Sequence, residues 1–407
     1  MRRAVLVFLC CLLIVVSRRP DALLHAQFWA EDGRLLYADA YNLDAVRTVL
    51  HPVAGYFIIF PRLVALIALA LPLGAVPLMF NCIAILLQIL PVQFLLSSRC
   101  RELGSTSARC LFAFLYLALP NSQEMHANLN NSHWRLALLA LLILFSRPGR
   151  TVLWNVFDWT VLAFCALTGP FIILFAPIAA IFYRSDPRNR WRLSLLLISG
   201  IGAAVEGLVL LLTGGSDRLV HEVRGATPEL LIQILAKQVF LAVLVGRRTL
   251  GGFSFDSRSG LILAAIAVSA GIAIELYVLL KAPLPWKALI LFSFGILGIS
   301  LAYPMAASPQ WPTLLAAGGV RYWFFPMLAF IASIVWMRSG RNSAFVRKSA
   351  LALLVVMLWG IVQDWGHPRF VDLHFPNYVR EFSEQPTGTR FVIPLNPVGW
   401  SMQLMKR

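Results

Sequence analysis

Three polar stretches interrupt an otherwise apolar chain, and each is built from residue types that do chemistry. The first reads Gln27-Phe28-Trp29-Ala30-Glu31-Asp32-Gly33. Adjacent carboxylates at an apolar boundary suit a general base, because partial burial moves a carboxyl group toward neutral pH. The same pair at a helix start also suits a cap favoured by the helix dipole. The second stretch runs from Pro120 to Trp134 and holds Glu124, His126, Asn128, Asn130, Asn131, Ser132 and His133. Amides and hydroxyls at this density can satisfy many hydroxyl groups at once, as sugar recognition requires, although a solvated turn has the same composition. Glu124, His126 and His133 are metal-ligating types, but their spacing matches no standard motif, so no metal site is expected. The third stretch reads Ser308-Pro309-Gln310-Trp311-Pro312, then Gly318-Gly319-Val320-Arg321-Tyr322-Trp323. Arg321 opens an apolar run, where a guanidinium either grips phosphate oxygens bidentately or snorkels from an aromatic belt. Asp217, Arg218, His221, Glu222 and Arg224 are polar without specific spacing. Glu206 and Glu275 lie inside apolar runs, as functional groups or as partners in buried interhelical hydrogen bonds.

The elements that must position these residues follow from composition. The 407 residues are 59% hydrophobic and 13% charged, with mean hydropathy +0.75. A soluble domain carries about 25% charged residues, and disorder needs low hydrophobicity, so both classes are excluded. A bilayer span takes about 20 residues, so the chain reads as an all-α polytopic membrane protein. The net charge of +16 belongs to loops that face anionic lipid. Nothing in the sequence resembles a nucleic-acid module. Cys10, Cys11, Cys82 and Cys165 sit in apolar runs, and Cys100 and Cys110 flank an Arg-rich loop; neither a disulfide nor a zinc site is expected.

Apolar runs occur at 4–17, 56–73, 76–97, 111–119, 134–145, 152–167, 171–183, 193–212, 230–245, 261–280, 288–302, 322–337 and 350–362. The first follows Arg2-Arg3 and reads as an uncleaved span rather than a secretory signal. The basic loops around Arg99–Arg109, Arg147/Arg150, Arg184–Arg192, Lys281/Lys287 and Arg338–Lys348 read as cytoplasmic. Parity then requires two runs not to cross. The run at 56–73 contains Pro61-Arg62, and a lipid-facing Arg is expensive. The run at 230–245 carries Gln233, Lys237 and Gln238 and is expected to lie flat. About eleven crossings result, with the N-terminus inside and the C-terminus outside. A membrane domain over 1–362 then presents outer loops at 18–55, 120–134, 213–260 and 304–320. The first carries an amphipathic helix, with Leu35, Leu36 and Ala40 on one face and Phe28 and Trp29 at the interface. A tail over 363–407, with a strand-like patch at 389–394, forms a small outer appendage.

With these features assembled, the chain resembles the GT-C glycosyltransferases, integral membrane enzymes that use polyprenyl-phosphate-linked sugars. The Phe28-Trp29-Ala30-Glu31-Asp32-Gly33 string is similar to one in uncharacterised bacterial members. Gly319-Val320-Arg321-Tyr322 is similar to their late Arg-aromatic motif, and the non-crossing helix to their architecture. The sequence departs from the family in ordering the acids Glu-Asp rather than Asp-Glu, and in placing one acid, Glu124, in the second loop. The resemblance implies a GT-C-like bundle in the bacterial inner (plasma) membrane with its site on the periplasmic face. The donor would be a polyprenyl-phosphate-linked sugar and the acceptor an envelope glycan, lipid or protein; no cofactor is expected, since the single acid Glu124 and the ligand spacing do not support a divalent metal. It implies that the acidic pair activates the acceptor and that Arg321 handles the donor phosphate; within the pair we expect Asp32 as general base and Glu31 to position it or the acceptor, with Tyr322 at the substrate beside Arg321. His126 or His133 would assist, and Glu124, Asn128 and Asn131 would hold sugar hydroxyls.

Rival readings differ in what they require. An O-antigen polymerase or ligase usually carries its large acceptor loop late in the chain. A transporter or lipid flippase needs paired charges deep in several spans, for which Glu206 and Glu275 are the material at hand. A non-catalytic scaffold needs no converging acid and guanidinium.

Overall fold

The computed structural model describes residues 2–213, 222–316 and 319–407. Asp217, Arg218, His221 and Gly318 lie outside the described residues. Every apolar run becomes a helix: α1 (Arg2–Arg18), α3 (Ile59–Ala68), α4 (Val76–Leu95), α5 (Thr106–Leu117), α6 (Ser132–Phe145), α7 (Val152–Ala166), α8 (Phe171–Arg184), α9 (Arg190–Thr213), α10 (Pro228–Val245), α11 (Arg258–Lys281), α12 (Leu284–Ala302), α13 (Phe324–Met337) and α14 (Ala344–Gln363). The expected first-loop helix, α2, spans 32–42 and opens as a π-helical turn, Asp32–Tyr37. Among the described residues, seven helical segments are long and apolar enough to cross a membrane: Leu73–Leu95, α9, α10, α11, α12, Val320–Met337 and α14. The protein is an all-α polytopic membrane protein. Apolar helices of 10–17 residues make up the rest, and a count near eleven would need several of them to cross a thinned bilayer. Helix α10, expected to lie flat, has the length and hydropathy of a span.

Burial sorts the helices. All residues of α6 and α13 are buried, as befits helices that are apolar along most of their length; Arg135, in the first turn of α6, lies over the Tyr116 and Phe324 rings. Helices α9, α11 and α14 present Leu, Ile and Val outward, the surface lipid would cover. The centre is pinned by side chains rather than by pattern alone: Ser293 of α12 donates to the Phe325 carbonyl of α13 at 3.0 Å.

The basic loops meet at one end of the bundle. Arg99 donates to both oxygens of buried Asp158 at 2.8 and 2.7 Å, and Trp191 Nε1 donates to the same carboxylate at 2.8 Å. Tyr277 donates to Asn342 at 2.9 Å. The polar stretches gather at the opposite end.

Helix α3 is 10 residues, or roughly 15 Å, too short to span unaided. Arg62 is fully buried in protein, not lipid. Its guanidinium lies 3.1 Å from Asp39 of α2 and donates to the Thr48 carbonyl at 2.6 Å. Removing the acid would strand a buried cation. Asp39→Ala is therefore expected to lower stability by about 3 kcal/mol, and adding Arg62→Met should recover most of it. A double-mutant cycle by thermal unfolding in detergent checks both values.

The tail is more structured than expected. Helix α15 (Phe375–Glu384) precedes an antiparallel hairpin, β1 (Arg390–Leu395) and β2 (Trp400–Met405), in register Arg390 opposite Met405. Ile393, Leu395, Met402 and Leu404 pack with Phe28, Leu36, Tyr37 and Ala40 into a separate core. So Leu36 and Ala40 of α2 are covered by protein, and Phe28, at 1% exposure, is a core residue rather than an interfacial anchor. This core fixes the position of residues 30–32.

Candidate active site

The first polar stretch turns into α2 through a strained corner. Ala30 has φ 32°, a left-handed conformation that disfavours a Cβ, and its N–H donates to the Asn396 carbonyl at 2.5 Å. The corner points the two acids of the pair to different places. Asp32 is 1% exposed, and its oxygens accept from the backbone amides of Leu129 (2.9 Å) and Asn130 (2.7 Å). It therefore caps the second polar loop, not its own helix. Burial pushes its carboxyl up to about 7, against the two N–H donors, which lower it; the neighbouring Glu31 charge raises it further.

That shift has a measurable consequence. Between pH 4 and 7 the folded chain holds a proton on Asp32 that the unfolded chain has lost. Stability from this group is therefore fully present at acid pH, declines as pH rises across that window, and is flat above it. Thermal unfolding followed from pH 4 to 8 is expected to show this decline in the wild type and its absence in Asp32→Asn.

Glu31 instead lines an open cleft. Across it stand Arg321 and Tyr322, from the turn before α13, and Asn130, Asn131, His133 and Trp134, from the second loop and the start of α6. Leu35, Ile58, Phe171, Ile296, Ile299 and Met305 make the wall apolar. Arg321 is held from several sides. One Nη pairs with Glu124, its backbone N–H donates to the other Glu124 oxygen at 3.2 Å, and Nη2 donates to the Tyr322 hydroxyl at 3.4 Å. A guanidinium has five donors, so the fork retains capacity for a further anion. Gly319, at φ 67°, permits this turn: a Cβ there would sit 2.6 Å from the Tyr322 ring.

Among the residues singled out from sequence, Glu31, Arg321, Tyr322, Asn131 and His133 share the cleft. His133 donates through Nδ1 to the Asn130 carbonyl at 2.6 Å, which leaves Nε2 as the acceptor of a neutral ring. The others are placed differently. Glu124 is the counter-ion of Arg321. Asn128 donates to the Glu124 carbonyl and accepts from the Asn131 amide at 2.9 Å, so it shapes the loop. His126 is buried against His367, ring centroids 4.7 Å apart, outside the cleft lining. Burial and the nearby Arg19, Arg18 and Arg135 charges hold its imidazole well below the ordinary range. Asn130, named in the second stretch but given no role, lines the cleft, as do Trp134, Ser300 and Tyr303, which were not singled out. Among the described residues, no group of three His, Cys, Asp or Glu is gathered as a metal would require. Glu206, a possible transport charge by sequence, accepts from the Phe57 backbone amide at 3.3 Å.

No family model matches the chain, and no curated protein matches it. Among solved structures, it is similar to the oligosaccharyltransferase of Archaeoglobus fulgidus in complex with zinc and sulfate. The two share 14% identity with a TM-score of 0.40, over 93% of this chain and 55% of that one. The chain thus spans about half the length of that structure. Likeness at this level does not assign an activity.

Proposed function

We propose that the protein is a membrane glycosyltransferase that moves a sugar from a polyprenyl-phosphate-linked donor to an envelope glycan, lipid or protein acceptor. The observation that carries this reading is the meeting of a carboxylate, Glu31, and a guanidinium, Arg321, on one cleft with an apolar wall. A lipid-linked sugar phosphate has those three parts: a hydroxyl-bearing sugar, an anion and a hydrocarbon chain. The cleft lies at the end of the bundle away from the basic loops, which supports an outward-facing site in a bacterial inner membrane.

The chemistry follows from what each group can do. An acceptor hydroxyl attacks the anomeric carbon while Glu31 takes its proton. The anomeric C–O bond breaks, and its electron pair leaves on the donor phosphate, whose added charge Arg321 neutralises. Phosphate leaves without protonation, so one base and one cation suffice, unlike the paired carboxylates of glycoside hydrolysis. This reading exchanges the roles expected for the acidic pair. Glu31 acts on the acceptor, and Asp32 holds Leu129 and Asn130, and with them the Asn131–His133 side of the cleft. Asn130, Asn131 and His133 face the sugar.

The experiment is transfer from a radiolabelled polyprenyl-phosphate sugar by the purified protein in lipid. Labelled product that depends on both Glu31 and Arg321 supports the reading. Net passage of the labelled lipid across a vesicle bilayer with no glycosyl product would replace it with a flippase.

A further inference from the structure

The basic end of the bundle carries a second cavity with a different chemistry. An apolar slot between α5, α6 and α12 is lined by Leu138, Leu141, Leu142, Phe145, Phe112 and Leu289. It shares Leu103, Ala108, Pro285 and Trp286 with an open cleft at the bundle end, whose rim carries Arg101, Arg338 and Arg341. Two of the helices that build the slot, α6 and α12, reach the sugar cleft at their other ends. Helix α6 runs from His133 to Phe145, and α12 from the slot to Ser300, so the two cavities face opposite leaflets.

The rim is net positive. Glu102 is its acid, and that carboxylate is neutralised by Arg147 at 2.6 Å. Arg101 and Arg341 are exposed and make no side-chain hydrogen bond or ion pair among the described residues. At the neck, Arg109 is 6% exposed. It donates to the Leu95 and Ser97 carbonyls at 2.9 and 2.8 Å, while its Nε, also buried, has no partner. A cation left partly unsatisfied beside a hydrocarbon slot, under a rim that carries the unpaired Arg101 and Arg341, suits an amphiphile with an anionic head and an alkyl tail.

We propose that this cavity binds an anionic phospholipid of the leaflet opposite the sugar cleft. One acyl chain fills the slot between α5, α6 and α12, and the phosphate sits among Arg101, Arg338, Arg341 and Arg109. The site is independent of the glycosyltransferase reading, since it shares no residue with the cleft that holds Glu31.

The test is lipid binding to the full chain in detergent by native mass spectrometry, comparing phosphatidylglycerol with phosphatidylcholine of the same chains. The wild type is expected to retain one phosphatidylglycerol in preference to phosphatidylcholine. Arg101→Ala/Arg341→Ala, which alters only exposed unpaired side chains, should weaken that binding by roughly tenfold or more, since each basic residue near such a head group contributes about 1 kcal/mol. Ala108→Phe keeps the arginines and closes the neck of the slot, and should weaken it comparably. Millimolar glycerol 3-phosphate should not displace the lipid. Equal retention of the two lipids overturns the proposal, as does wild-type binding by the double arginine variant. Binding that survives Ala108→Phe, or is displaced by glycerol phosphate, identifies a free-anion site instead and equally overturns it.

Discussion

Glu31→Gln is expected to lower glycosyl transfer by about 10²–10⁴-fold, the range typical for loss of a general base, with little change in stability. Glu31 lines the cleft and is partly exposed, and the amide is isosteric, so the fold has no reason to respond. Asp32→Asn should behave differently. Compared below pH 7, where both side chains are neutral, the amide turns its NH2 toward one backbone N–H where the carboxyl presents two oxygens, so either the Leu129 or the Asn130 amide loses its partner. A buried unsatisfied donor costs about 1–3 kcal/mol. The second loop should loosen, and activity should fall together with melting temperature. Transfer assays paired with thermal unfolding separate the two carboxylates. A variant pair in which Asp32→Asn keeps its stability and loses turnover, while Glu31→Gln keeps both, would restore Asp32 as the base.

Arg321→Ala is the second large effect, a loss of about 10²–10³-fold in transfer, by analogy with removing one preorganised donor from a developing anion. Arg321→Lys should recover only part of it, since an ammonium keeps the charge but not the planar fork. The Glu124 pairing complicates a single substitution, because the alanine variant leaves that carboxylate partly buried and unpaired. Arg321→Ala/Glu124→Gln removes this strain. It is expected to recover stability relative to Arg321→Ala and to remain inactive. Recovery of turnover along with stability would reduce Arg321 to a structural counter-ion.

The helices were legible because hydropathy is a strong, local signal, and each apolar run did become a helix. Arg62 was legible as a residue that should not face lipid; that Asp39 is the partner that takes it in was not. What the sequence did not reveal depended on tertiary contact. Nothing in Glu31-Asp32 says which acid faces inward. That follows from the turn at Ala30 and from the tail hairpin packed behind it. β2 had a faint signal of its own, Met402 and Leu404 alternating with Ser401 and Gln403, too short to stand out at a chain end. Asn128 and His126 have the composition of a sugar site, but Asn128 shapes the loop that presents Asn130, Asn131 and His133, and His126 is buried against His367. Glu124 was legible as an acid of the second loop. Its pairing with Arg321, 197 residues away, was not.

The central claim is that a lipid-linked sugar phosphate occupies the cleft between Glu31 and Arg321. Photo-crosslinking tests it most directly, with a polyprenyl-phosphate sugar carrying a diazirine on its first isoprene unit. Mass-spectrometric mapping is expected to place the label on the apolar wall, at the Ile296–Ser300 end of α12 and around Phe171. Unlabelled donor should compete it away, and Arg321→Ala should abolish it. Label confined to the basic end of the bundle, or label on the wall that Arg321→Ala leaves unchanged, would contradict the account.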